Sequence, residues 1–391
     1  MEEIKAIKLV TFIENCICVY RNYAMCTKRN KKIISLRIIV EIIIVFFVNI
    51  NNILLLHKYY NGSGLLYIIY LFLVVYYINY MFCIFYGALQ GKAYRQLIFC
   101  FNKINAIAKR DKSYKKSLAR LKNMCIVISI ALLIISALSV FVDRSNSWNI
   151  YEVSLRDSLL ILSKIHMDFF YHFEYVVYFT HIKIFHLTLR YLNSRVKMAQ
   201  FEMKMTRRDV HDEGERNIRI LLTKELTTEW AVLYKCLVFG TKTMKSLFGL
   251  QMLIAMVMSF VNFTLSLYGI ILICSIGIIF KEQSQTASQH NLLLILTYYT
   301  ATMLLIFIVA QSVYNEVEML KRNLARMYNI LAVDSDETQQ KLVKDFLRMV
   351  YKNKVEIKML SIFPVGMPML TFFLSLSASY VVVMVQFSNV F

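Results

Sequence analysis

Residues 362–387 read IFPVGMPMLTFFLSLSASYVVVMVQF, a run without one charged side chain. A helix needs roughly 20 apolar residues to cross the hydrocarbon core of a bilayer, so this stretch is a membrane span. The next apolar run back along the chain, Leu292–Val313, is equally clean. Five more precede it, at Ile33–Leu56, Gly64–Leu89, Met124–Val142, Leu155–Phe179 and Leu247–Ile279. The last of these is longer than a bilayer and must tilt or project. Leu155–Phe179 is the weakest, because it carries Lys164, His166, Asp168, His172 and Glu174.

The composition of the 391 residues agrees. Apolar residues make up 58% and charged residues 18%, with mean hydropathy +0.52, whereas a soluble domain is nearer half apolar and a quarter charged. Two prolines and ten glycines exclude a collagen-like or linker-rich chain. The fold class is an all-α membrane protein with seven transmembrane helices.

Charge orients it. Of the 45 Lys and Arg, 39 fall in segments 1–32, 90–123, 180–246 and 314–361, and only four in the three intervening loops. The positive-inside rule therefore predicts a cytoplasmic N-terminus and an extracellular C-terminus. Juxtamembrane basic loops explain the net +20 without nucleic acid, for which no recognisable binding module exists. Residues 1–32 lack the apolar core of a signal peptide. All eight cysteines fall in spans or inner segments, so no extracellular disulfide is expected. Asn61-Gly62-Ser63 is a glycosylation sequon close to the outer membrane surface.

The division of the chain follows. Residues 1–32 form a cytoplasmic N-terminal segment, and 33–313 hold helices one to six with inner extensions at 90–123 and 180–246. Residues 314–361 form cytoplasmic anchor helices, and 362–391 carry the seventh helix. In 336–361 the residues Leu342, Phe346, Met349 and Val350 recur at the spacing of one helical face. The segment Asp209–Glu215 is the best loop candidate.

Catalytic patterns are missing: no phosphate-binding loop, dinucleotide fingerprint or zinc-protease motif is present, so neither enzyme activity nor a cofactor is expected. His166, His172, His181 and His186 are spaced by six, nine and five, which does not set two metal ligands on one helical face. Separate polar contacts in a water-accessible bundle are expected of them. Charges within spans are costly and point to function. Arg37 and Glu41, four apart, are expected to pair with each other. Lys164 and Asp168, also four apart, are expected either to pair or to face a ligand. In the last span Val383, Gln386 and Phe387 share one face. A ring of such faces would form an apolar constriction with one polar rung, suited to gating by dewetting, although an ordinary packed helix reads the same way.

Ser379-Tyr380, five apolar residues, then Gln386-Phe387 resembles the Thr-Tyr-x5-Gln-Phe signature that ends the last helix of insect gustatory receptors. Leu189-Arg190-Tyr191-Leu192-Asn193 is similar to the family's Arg-Phe-x-x-Leu-Asn pattern, and Phe346–Phe363 looks like the segment before its last span. The resemblance implies a tastant-gated, nonselective cation channel in the plasma membrane, a homotetramer or heterotetramer with other such subunits. Gln386, Phe387 and Val383 would line the gate, with Ser379 and Tyr380 bracing the pore helix. The ligand pocket would lie in each subunit's outer half. The polar and aromatic residues at that depth are Lys164, Asp168, Tyr171, Asn262, Ser266, Tyr298 and Thr302. Sugar-sensing members often carry Glu where Val381 stands, so bitter or other plant-derived compounds are the expected ligands and a sugar the alternative. A non-channel seven-helix receptor is the other alternative; the inner N-terminus and the absence of Asn-Pro-x-x-Tyr count against it.

Overall fold

A computed structural model describes residues 4–59, 64–145, 155–212, 224–279, 284–333, 337–360 and 362–387. Ten α-helices, a 3-10 turn at Tyr23–Met25 and one two-residue strand pair make up the regular structure of these residues. The helices are α1 (Lys5–Cys16), α2 (Lys28–Tyr59), α3 (Gly64–Leu89), α4 (Gly91–Ala108), α5 (Lys112–Ser145), α6 (Leu155–Asp212), α7 (Lys224–Ile279), α8 (Ser284–Val333), α9 (Glu337–Lys352) and α10 (Met367–Phe387). The first six predicted spans lie in α2, α3, α5, α6, α7 and α8, and the seventh overlaps α10. Among the described residues, α5, α7, α8 and α10 contain windows long and apolar enough to cross a membrane. The predicted loop at Asp209–Glu215 is helical as far as Asp212; the sequon and the remainder of that loop lie outside the described residues.

The long helices outrun their apolar windows because the sequence beyond remains amphipathic. In α6 the residues Ile182, Phe185, Leu189, Leu192 and Val196 are buried at spacings of three and four. Their basic neighbours Arg190 and Lys197 face out. α6 packs along α8 and α5, and α7 along α4 and α8, so α6 occupies the centre of the bundle. At Gly240 of α7 an added Cβ would stand 2.7 Å from the Phe185 ring, so the glycine permits the close approach of α7 to α6.

Three features add to the expectations or correct them. First, the N-terminal segment 1–32 holds a packed helix. α1 packs against α5 and α6, burying Ala6, Ile7, Val10 and Glu14, and Cys18 turns the chain back with φ 63°. Second, the last helix begins at Met367 rather than Ile362. Lys358–Met359 and Phe363–Pro364 pair antiparallel, with Leu360 at positive φ between them. Pro364 cannot donate to a helix ladder, whereas Pro368 sits in the first turn, where no donor is needed. Gln311 of α8 accepts from the Met367 amide at 3.3 Å and so caps α10 from a neighbouring helix. Third, Arg37 and Glu41 do not pair with each other. Arg37 donates to the Cys16 carbonyl at 3.2 Å. Glu41 accepts from Tyr80 at 3.0 Å and faces His166 Nε2 at 3.2 Å, which ties α2 to α3 and α6.

α9 buries Val343, Phe346 and Val350, a face turned slightly from the predicted one, with Leu342 and Met349 at its borders. Its Phe346 meets Trp230 and Tyr234 of α7 at 6.3 and 6.1 Å. Tyr234 Oη donates to the Asn353 carbonyl at 2.7 Å, closing the end of α9 onto α7.

Candidate functional site

Two places bring the singled-out residues together. The first lies where α5, α6, α7 and α8 converge. α7 presents Ala255, Ser259, Asn262 and Ser266, spaced by four, three and four, on one face. Opposite them α6 presents Tyr171, His172 and Tyr175. Both phenols donate to the Ala255 carbonyl at 2.8 Å and lie 2.8 and 2.5 Å from Ser259 Oγ. This arrangement fixes the two tyrosines and satisfies their hydroxyls in an apolar interior. From α8, Tyr298 and Tyr299 close on His172, with ring centroids 3.7 and 4.9 Å from the imidazole; Tyr171 stands at 5.0 Å. Asn262 donates to Tyr299 Oη at 3.1 Å, and Thr302 to the Tyr298 carbonyl at 3.0 Å. Tyr298 Oη reaches Ser136 Oγ and the Leu132 carbonyl, each at 3.4 Å.

Of the expected pocket residues, Tyr171, Asn262, Tyr298 and Thr302 therefore meet in one cluster. Ser266 is buried on the Asn262 face of α7. Asp168 is half-buried one turn from His172. The side chain of Lys164 lies outside the described residues. Sequence reasoning missed His172, Tyr175, Ser259 and Tyr299. His172, expected to make a separate polar contact, stands at the centre of the rings, buried, with Nδ1 lacking a hydrogen-bond partner. Its signal was the run Tyr171-His172-x-x-Tyr175, three ring-bearing polar side chains on one helical face. The expected water-accessible setting is also corrected: His172 and His181 are both buried. Among the described residues no three His, Cys, Asp or Glu side chains gather to hold a metal.

The second place is α10. Phe373, Ser377 and Val381, four apart, are buried. Phe373 packs edge-on to Phe260 and Phe263 of α7 at 5.2 and 5.6 Å. Tyr380 is half exposed, and its ring meets Phe260 at 6.0 Å. Ser379 donates to the Ser375 carbonyl at 3.0 Å, a bond within its own helix. Val383 and Gln386 are exposed on the single chain; the side chain of Phe387 lies outside the described residues.

Further along α6, Asn193 donates to the Glu316 carbonyl at 2.8 Å and to its carboxylate at 2.7 Å. This clamps the inner length of α6 to α8. Beside it, His186 Nε2 lies 4.0 Å from Glu316 Oε1. Burial, with Lys183 and Arg190 adding to it, pushes the His186 imidazole down to about 4. Its folded value lies below its ordinary one, so the unfolded chain takes up the proton first. The stability His186 contributes is present above pH 6.5 and is lost as pH falls toward 4, by about 3 kcal/mol at most. The melting temperature of the purified protein is expected to drop between pH 7 and pH 5. The drop should be smaller in His186→Asn, and an equal drop in both would remove His186 as a cause.

The sequence and the fold match known proteins. The chain belongs to the 7tm Chemosensory receptor family, which it matches over residues 9–390. Its fold is similar to that of the insect olfactory receptor OR5 from Machilis hrabei. That structure superposes with a TM-score of 0.64 at 13% identity, over 97% of this chain and 99% of that one. The same receptor in complex with eugenol matches with a TM-score of 0.47 at 13% identity, over 92% and 90%. No curated protein sequence matches the chain.

Proposed function

We propose that this chemosensory receptor is a gustatory receptor: a tastant-gated, nonselective cation channel of the plasma membrane. Its subunits assemble as a homotetramer or with related subunits, with N-termini in the cytoplasm. The observation that carries the reading is the two-sidedness of α10. Phe373 packs on α7, and Ser377 and Val381 on the same face are buried, while Val383 and Gln386 are left uncovered by the chain's own helices. Four such helices around an axis would turn the uncovered faces to a central pore.

The aromatic cluster around His172 supports the ligand half of the reading. A bitter or other plant-derived compound with an aromatic ring could enter among Tyr171, Tyr298 and Tyr299 and hydrogen-bond His172 Nδ1. A ligand that binds the open arrangement a hundredfold more tightly than the closed one supplies about 2.7 kcal/mol per site toward opening. α7 and α8 touch both the cluster and α10, so movement there reaches the gate.

Whole-cell current from cells expressing this chain, under a panel of bitter plant compounds and sugars with surface expression checked, tests the reading. A cation current evoked by a bitter compound is expected. Current only to sugars would transfer the chain to the sugar-sensing alternative. Silence at the surface, both alone and with partner subunits, would overturn the channel.

A further inference from the structure

α4 and α7 run antiparallel: Leu97 meets Gly240, while Ile107 lies with Thr228, Glu229 and Val232. Between them lies an open groove of about 460 Å³. Its rim carries Arg95 and Lys103 from α4 and Lys235 from α7, all exposed. Cys100, Cys236 and Val232 line its apolar floor, and Phe99 and Phe239 stand out of it at 58% and 47% exposure. Lys103 lines the groove together with both thiols. The next groove along is lined by Glu225 and Glu229, so the cationic stretch ends at an acidic boundary.

Three cations around an apolar floor are a poor site for a neutral ligand and a good one for an amphipathic polyanion. The depth narrows the class. Phe239 stands eight residues before Leu247, roughly 12 Å along the helix, and Lys235 a turn further. The headgroup layer adds roughly 5–7 Å to each side of the hydrocarbon core. A serine or choline headgroup would fall short of Lys103 and Lys235, whereas a phosphorylated inositol ring stands out of the leaflet toward them.

We propose that the α4–α7 groove seats the headgroup of a phosphorylated inositol lipid of the inner leaflet. Arg95, Lys103 and Lys235 engage the phosphates, and Phe99 and Phe239 flank the inositol ring. Glu225 and Glu229 exclude the head from the far end and fix its direction. Such a lipid would bridge the helix that follows the second span to the inner length of α7, which runs on into the ligand cluster. The proposal rests on the cytoplasmic placement of the basic segments given above, but not on channel activity.

The test uses the full chain purified in detergent micelles and a fluorescent phosphatidylinositol 4,5-bisphosphate, read by anisotropy. Saturable binding is expected, at least tenfold weaker in Arg95→Gln/Lys103→Gln/Lys235→Gln. It should be unchanged in Lys197→Gln/Lys204→Gln/Lys341→Gln, which removes the same charge from exposed sites elsewhere. Unlabelled phosphatidylserine should not compete. Equal affinity of the groove variant and the native chain would overturn the proposal. So would an equal loss in the control, which would mean surface charge alone. Soluble inositol trisphosphate competing as strongly as the lipid would assign the groove to a free polyphosphate and overturn the lipid. Should the triple variant not elute as a folded species, Lys103→Gln alone carries the test with an expected threefold loss.

Discussion

Arg21→Ala is expected to remove most of the folded, surface-delivered protein. Arg21 lies in the turn between α1 and α2, yet its side chain is fully buried. It forms ion pairs with Glu14 of α1 and, at 2.7 Å, with Glu174 of α6. It also donates to Gln251 of α7 at 3.1 Å, and its guanidinium lies 4.8 Å from the Phe248 ring centroid. One cation thus joins three helices, and both carboxylates it faces are buried. Removing one partner of a buried ion pair costs about 3–5 kcal/mol, because the remaining charge has no water to return to. A chain with total stability of order 5–15 kcal/mol loses a large part of it. Arg21→Met combined with Glu14→Gln and Glu174→Gln removes all three charges and should recover much of the loss. Surface biotinylation and a size-exclusion melting curve read both variants. A single variant that melts with the native chain would show that the cluster is solvated and the account wrong.

This cluster also shows where the sequence stops informing. The spans are legible because apolar length is a local property: Gly64–Leu89 is both the predicted run and the observed helix. The inner helices are legible through periodicity, which survives in any register of packing. The partners of charged residues are different. Arg37 and Glu41 share a helical face, and spacing alone pairs them. The fold instead brings Tyr80 and His166 to Glu41 from two other helices, at sequence distances of 39 and 125. Likewise Glu14, Arg21 and Glu174 carry no common motif. Ile7, Val10 and Glu14 lie at helical spacing, so α1 itself was readable, but the site that receives it was not.

The site was legible to the same degree. Depth in the bilayer selected Tyr171, Asn262, Tyr298 and Thr302, which the fold gathers. It could not select Tyr175 and Ser259, whose role comes from one shared carbonyl at Ala255. Nor could it separate His172 from the other histidines. Burial among three tyrosine rings, not spacing, sets it apart.

The second large effect is expected at the end of α10. In the proposed tetramer, Phe387→Ala should open a constriction that four aromatic rings would otherwise close, and Gln386→Ala should remove its only polar rung. The fixed face of α10 makes Gln386→Ala separable from misfolding. Ser377 and Val381 are buried against the bundle, whereas Val383 and Gln386 are uncovered, and truncating an uncovered side chain leaves no cavity within the subunit. Closure of a pore by apolar rings is a dewetting barrier, so a shorter side chain favours the hydrated, conducting state. A bias of only about 1.4 kcal/mol toward the open state multiplies the open-to-closed ratio tenfold. Phe387→Ala should therefore raise ligand-free current about tenfold at equal surface density, and Gln386→Ala should alter the relative permeability of monovalent and divalent cations. Phe373→Ala serves as the contrasting case. It deletes a ring packed on Phe260 and Phe263, so it should destabilise the fold by about 3–5 kcal/mol and lower expression rather than raise current. If basal current, ligand response and selectivity were all unchanged in Phe387→Ala and Gln386→Ala, the conduction path would not pass the end of α10. The uncovered face would then be a packing surface between subunits or toward lipid.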